Sequence, residues 1–243
     1  MFKLFKVVLL LLALSITLLG APRIGRLVAN LISNNFDISI IDPDGVFLWI
    51  TIRHTVQALV IMGIILVLNK TKGITFGLGL GNREVGIKSL KKFMGFFSIY
   101  TFFAFLSVVL LRNFEPFQYP LTILNIAGYL GFQLFMSGPS EELIFRAFAM
   151  TLAGMLIPQR IFRDRVSVAN IYAAIIFGIA HMAIGFFPFS ISYSPFQVVY
   201  AMVLGIFYGD VYEKSQSFVY PMIMHSFTNV LMMGTTIILS FIL

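Results

Sequence analysis

Long apolar runs separated by short polar stretches set the pattern of this chain. The first run covers about Phe5 to Leu19, behind Lys3 and Lys6. Its basic start reads as a first transmembrane helix with a cytoplasmic N-terminus rather than a cleaved signal, because the chain stays apolar afterwards. A polar segment over 21–45 follows, ending in the turn signal Asp42-Pro43-Asp44-Gly45. A second span runs from about Val46 to Leu68, with Arg53, His54 and Gln57 near its beginning. His54 reads there as an interfacial or structural group. The next loop carries Lys70, Lys72, Arg83, Lys88, Lys91 and Lys92, which marks it as cytoplasmic. Its Gly77, Gly79 and Gly81 lack the dinucleotide-binding spacing and read as a flexible linker.

A third span is expected over 93–111, and further ones near 166–184, 196–212 and 217–242. Between them, 121–137 and 140–157 are apolar and are interrupted by Gly138-Pro139. Two crossings there would put Arg160, Arg163 and Arg165 outside, against the positive-inside tendency. One crossing by a broken or steeply tilted helix puts them inside, and is preferred. With about 20 apolar residues needed per crossing, the chain is expected to have seven or eight spans. The predicted fold class is all-α, a polytopic transmembrane helical bundle with a helix break near Gly138-Pro139. Broken backbone at membrane depth is tolerated where it lines a cavity, so the break marks the edge of a candidate site.

Composition agrees. Hydrophobic residues make up 59% of the 243 and charged residues 11%, against about 45–50% and 25% in soluble domains. The mean hydropathy is +0.95. One membrane-embedded domain over residues 1–243 follows, since no soluble-domain-sized stretch remains. The net charge of +7 reads as cationic loops rather than a nucleic-acid surface. The absence of cysteine excludes thiolate catalysis, iron–sulfur clusters and Cys-based zinc sites.

Against this background Ser140-Glu141-Glu142-Leu143-Ile144-Phe145-Arg146 stands out. An ionisable residue at a helix centre costs roughly 2.5–3.5 kcal/mol on insertion scales. Glu142 and Arg146 are four apart on one helical face and can pair. That leaves Glu141 as the free carboxylate, a candidate general base. The alternative is a capping cluster at a helix start in the headgroup region. His181, four residues after Phe177, and His225, four before Asn229, lie on two other apolar helices. Each alone reads equally well as a structural hydrogen-bonding group. Convergence of all of them in one cavity would satisfy their hydrogen bonds and assemble a hydrolytic site. Gly205 and Gly209 form a G-x-x-x-G pair that reads as close helix packing. Ser140 has no adjacent base in the sequence, which disfavours a serine nucleophile.

Three motifs in order, Glu141-Glu142-x-x-x-Arg146, Phe177-x-x-x-His181 and His225-x-x-x-Asn229, resemble those of the CAAX protease and bacteriocin-processing family of intramembrane proteases, also called the Abi family. The resemblance covers about 138–229, the motif core. It implies an endopeptidase acting on a hydrophobic or lipidated, membrane-anchored peptide, of CAAX type or a bacteriocin or signal-peptide precursor. By motif position, Glu141 and His181 would activate water, His225 and Asn229 would stabilise the oxyanion, and Glu142, Arg146 and Phe177 would brace the site. A zinc ion on Glu141, His181 and His225 is the alternative to metal-free catalysis, and the sequence leaves the cofactor open between none and zinc. The competing functions are a non-catalytic bacteriocin-immunity or membrane scaffold protein of the same family, and a proton or solute transporter. The partners expected are the bilayer and the peptide, with the protein integral to the plasma membrane. The substrate, the membrane side of the site and the oligomeric state stay open.

Overall fold

A computed structural model describes residues 2–186 and 189–243. Among them the chain forms seven helical rods: α1 (Phe2–Asn35), α2 (Leu48–Lys72), α3 (Arg83–Leu111), α4 (123–156), α5 (Val168–Ala180), α6 (Pro195–Ser215) and α7 (Val219–Ile242). Two antiparallel hairpins are added. One pairs β1 (Arg160–Ile161) with β2 (Val166–Ser167), and the other pairs β3 (Ala183–Phe186) with β4 (Phe189–Ser192).

Four of the rods, α1, α2, α3 and α7, are long and apolar enough to cross a membrane. By length and composition they mark an integral membrane protein. The expected seven or eight spans are not supported. Residues 121–137 and 140–157 contribute one rod, in line with the preferred single crossing, and α5 is a helix of only 13 residues. At 1.5 Å per residue such a helix is about 20 Å long, against a hydrocarbon core of about 30 Å.

The helix break expected at Gly138-Pro139 is absent. Gly138 is helical at φ −55°, ψ −53°, and α4 passes through in one piece. It does so by inserting two π-helical stretches, Gln133–Ser137 and Leu143–Met150, on either side of Gly138–Glu142. Widened turns are the usual way a helix absorbs a residue that cannot donate its backbone N–H. Ser226 Oγ on α7 donates to the Leu134 carbonyl (2.8 Å), five positions before Pro139, and so serves a carbonyl in the disturbed stretch. All eight residues of Leu143–Met150 are buried, as expected for a helix surrounded by others. α4 packs against α1, α2, α5, α6 and α7, and is the axis of the bundle.

The polar reading of 21–45 also changes, because α1 continues through Pro22 to Asn35. Ala21, Gly25 and Ala29 recur every four residues and are buried. A Cβ on Gly25 would run into the Arg53 carbonyl of α2, so this small-residue stripe brings the two backbones into contact. The Asp42 turn is formed as expected. Its buried carboxylate accepts the backbone N–H groups of Val46 (2.8 Å), Phe47 (2.8 Å) and Leu48 (2.7 Å) and so starts α2. The glycine loop is no flexible linker. Ser217 Oγ donates to the Gly79 carbonyl (2.6 Å), Tyr220 Oη to Leu80 (3.0 Å) and Phe218 N–H to Gly77 (2.9 Å). Gly81 has φ +49° and lies so close to the Ser215 carbonyl that a side chain would not fit.

α6 lies on α5 through its glycines. A Cβ on Gly205 would sit 3.2 Å from the Cα of Ala174, and one on Gly209 would collide with the Asn170 side chain. Asn170 is buried and donates to the Ile206 carbonyl (3.0 Å), so it cannot move aside freely. Gly209→Ala is therefore expected to destabilise the bundle by about 1–3 kcal/mol through overpacking. The measurement is thermal unfolding in detergent, with Gly63→Ala, where a Cβ meets nothing within 4 Å, as the neutral comparison.

Candidate active site

The middle of α4 carries the charges. Glu142 and Arg146 are both fully buried, and Arg146 Nε lies 2.8 Å from Glu142 Oε2. The pairing expected from their spacing is formed. Arg146 is further enclosed by two aromatic faces, Phe177 of α5 at 5.2 Å and Tyr208 of α6 at 5.8 Å from its guanidinium carbon. A cation over aromatic faces in a desolvated setting gains electrostatic stabilisation without a second anion.

Glu142 has a second partner on another rod, α7. Its Oε1 lies 2.8 Å from His225 Nδ1. A carboxylate accepts, so His225 carries a proton on Nδ1, and its Nε2 looks away from Glu142. That Nε2 is 3.9 Å from Glu141 Oε2. Tyr208 stacks on the His225 ring at 5.2 Å, and Phe177 meets its edge at 5.7 Å. Imidazole orientation is thus set by one hydrogen bond and two rings.

His181 is not inside its helix as expected. It stands at the C-terminal end of α5, where the chain leaves for the β3–β4 hairpin. Its Nδ1 lies 2.8 Å from the Phe177 carbonyl. A carbonyl can only accept, so this nitrogen carries a proton, and in the neutral imidazole Nε2 is the acceptor. The Phe177 ring packs edge-on against it at 4.8 Å. His181, His225, Asn229 and Phe177 line one cavity of about 190 Å³, several times the roughly 30 Å³ share of a water molecule. Asn229 donates from Nδ2 to Ser137 Oγ (3.0 Å). Tyr200 lines the same cavity, and its buried hydroxyl has no hydrogen-bond partner among the described residues, a donor left for whatever enters.

His54, read from the sequence as interfacial or structural, is not interfacial. It is buried, and its Nδ1 is 3.9 Å from Glu141 Oε1, 2.8 Å from Ser140 Oγ and 3.0 Å from Gln57 Nε2. Glu141 therefore lies between two imidazoles, His54 of α2 and His225 of α7. The readable signal was His54-x-x-Gln57, two polar groups one turn apart in an apolar span. Ser140 does have a histidine, from 86 positions away. Its hydroxyl is enclosed and also donates to the Ser137 carbonyl (3.2 Å), so it holds His54 rather than standing free as a nucleophile.

A zinc ion needs donors at about 2.0–2.2 Å from one centre. Among the described residues no three His, Cys, Asp or Glu side chains converge in that way, and Glu142 is already engaged by Arg146 and His225. The donor set Glu141, His181 and His225 does not fit a zinc centre in this arrangement.

Residues 123–231 match the family model described as Type II CAAX prenyl endopeptidase Rce1-like. No curated protein and no solved structure matches the chain.

Proposed function

From an Rce1-like domain over residues 123–231 that carries a buried Glu–His cluster, we propose that this protein is an intramembrane endopeptidase. It hydrolyses a peptide bond in a hydrophobic or membrane-anchored peptide, with water activated by Glu141. The observation that carries the reading is the placement of Glu141. Its two carboxylate oxygens are each 3.9 Å from an imidazole nitrogen, a gap too long for a direct hydrogen bond. Glu142, by contrast, is used up in short contacts. The carboxylate without a tight partner is the one free to take a proton.

In this mechanism Glu141 removes a proton from water, and the resulting hydroxide attacks the scissile carbonyl. His181, through its unprotonated Nε2, accepts a hydrogen bond from the same water and aims it. As negative charge moves to the carbonyl oxygen, it is met by donors at the cavity, His225 Nε2–H in its doubly protonated form and the second Nδ2–H of Asn229. Glu142 balances the charge on His225. The proton held by Glu141 then passes to the leaving amine as the C–N bond breaks. Glu142, Arg146 and Phe177 keep the imidazoles in place.

The test uses purified protein in liposomes with a library of hydrophobic peptides, read by mass spectrometry with and without chelator. Site-specific, chelator-resistant cleavage that is lost in both His181→Ala and His225→Ala is the expected result. A library left intact by the unmutated protein, or cleavage that survives both substitutions, would sink the reading. In the first case a non-catalytic binding role would take its place.

A further inference from the structure

A second cavity, of about 270 Å³, belongs to none of the steps above. Arg23 and Arg26 of α1, Arg53 of α2, and Ser190 and Ser192 of the β3–β4 hairpin line it, and no acidic side chain does so among the described residues. The three arginines lie outside the residues matched by the family model. Arg26 and Arg53 are close enough to repel each other, and the Gly25 contact with the Arg53 carbonyl holds their backbones together. Neither makes an ion pair within 4.0 Å among the described residues. Glu141 attracts Arg53 only from beyond that distance. Arg53 Nε is buried without a hydrogen-bond partner. An anion between the two guanidinium groups would remove the repulsion and give that donor an acceptor.

The depth of the cavity decides which anion. α1 and α2 run antiparallel, since Gly25 meets Arg53 and Trp49 Nε1 donates to Asn30 Oδ1 (2.9 Å). One end of this pair carries Lys6 with Lys70 and Lys72. From Lys6 to Arg23, and from Arg53 to Lys70, is 17 positions, or about 26 Å of helix. The hydrocarbon core of a bilayer is about 30 Å thick. With the lysines at one membrane surface, the arginines stand near the level of the opposite headgroups. Trp49, the single tryptophan of the chain, lies at the same level, where tryptophan is favoured.

Toward the bilayer centre the surface turns apolar. Leu12, Ile16, Leu19, Arg23 and Arg26 follow the three- and four-residue spacing of one helical face. Leu19 lines the cavity, and Leu12 and Ile16 are exposed. A basic pocket above an exposed apolar stripe matches a lipid phosphate with its hydrocarbon chain, whereas a free phosphate would use the pocket alone. We propose that this cavity is a headgroup site for an anionic phospholipid: Arg26 and Arg53 hold its phosphodiester, and an acyl chain descends along Leu19, Ile16 and Leu12. A zwitterionic lipid brings its own cation against the arginines, so the site prefers a headgroup without one. The bound lipid ties α1 and α2 to the β3–β4 hairpin, which begins at Ala183, two positions after His181. The site does not depend on peptide cleavage.

Trp49 serves as the probe. It lies one turn before Arg53 on α2, and its partner Asn30 lies one turn beyond Arg26 on α1. Full-length protein is reconstituted in phosphatidylcholine vesicles, and its fluorescence is quenched by rising mole fractions of spin-labelled phosphatidylglycerol or spin-labelled phosphatidylcholine. Half-maximal quenching is expected at an about tenfold lower mole fraction of the phosphatidylglycerol. Arg26→Gln and Arg53→Gln are each expected to remove most of that preference. Arg112→Gln, which removes an exposed charge that lines no part of the cavity, is expected to keep it. Arg26 is exposed, so its replacement carries the test even if Arg53→Gln does not fold. Inorganic phosphate, added at constant ionic strength, is expected to leave the quenching unchanged. Equal quenching by the two lipids would overturn the proposal, as would a preference that survives both cavity substitutions or falls equally with Arg112→Gln. Relief of quenching by inorganic phosphate would also overturn it, since the pocket would then take a free phosphate.

Discussion

Glu141→Gln is expected to lower peptide cleavage by about 10²–10⁴-fold, the usual contribution of a positioned general base, and to leave the fold intact. The substitution keeps shape and volume while removing the negative charge and with it the ability to take a proton. Glu141 makes no contact shorter than 3.9 Å with its two histidines, so little structural energy depends on its charge. Initial rates in liposomes, normalised to folded protein by circular dichroism, give the comparison. Glu142→Gln is the informative contrast. It lies one position along the same rod and weakens contacts of 2.8 Å to both Arg146 and His225, so it should lose stability together with activity. A Glu141→Gln protein that cleaves at the original rate would end the role assigned to this carboxylate.

The second large effect concerns stability. Arg146→Met is expected to cost about 3–5 kcal/mol, because it removes one partner of a buried pair and leaves Glu142 charged among apolar neighbours. Both side chains of that pair are at 0% exposure, so water cannot make up the loss. His225 offsets part of it through its 2.8 Å bond to Glu142. The double substitution Glu142→Gln with Arg146→Met should recover a sizeable part of the loss, since replacing both members of a buried pair is often close to neutral. Reversible denaturation in mild detergent would measure the single and double variants together. Additive losses would mean that the two side chains act independently, against the geometry.

Some of this was legible one residue at a time. The scarcity of charge and the long apolar runs settle membrane integration, because burial in lipid depends on composition over a window and not on partners. Glu142 with Arg146, and Gly205 with Gly209, follow from helical spacing, since residues four apart share a face wherever the helix sits. The small-residue stripe of Ala21, Gly25 and Ala29 was equally readable, and it explains why α1 runs on past its apolar segment.

Other features needed the tertiary structure. Spacing tells which residues of one helix share a face, but not which face meets which neighbour. The bond of Glu142 to His225 spans 83 positions and that of Ser140 to His54 spans 86. No local pattern connects residues so far apart, so His54 reads from the sequence as interfacial or structural, and only the packing of α2 on α4 brings it to Glu141. The continuity of α4 through Gly138-Pro139 is of the same kind. Proline predicts an interruption from its own chemistry, whereas π-helical turns and a hydroxyl from α7 keep the rod whole. The cavity lined by Arg23, Arg26 and Arg53 joins α1, α2 and the β3–β4 hairpin, which no sequence window contains together. Composition placed the chain in the bilayer, and packing determined which few polar groups meet there.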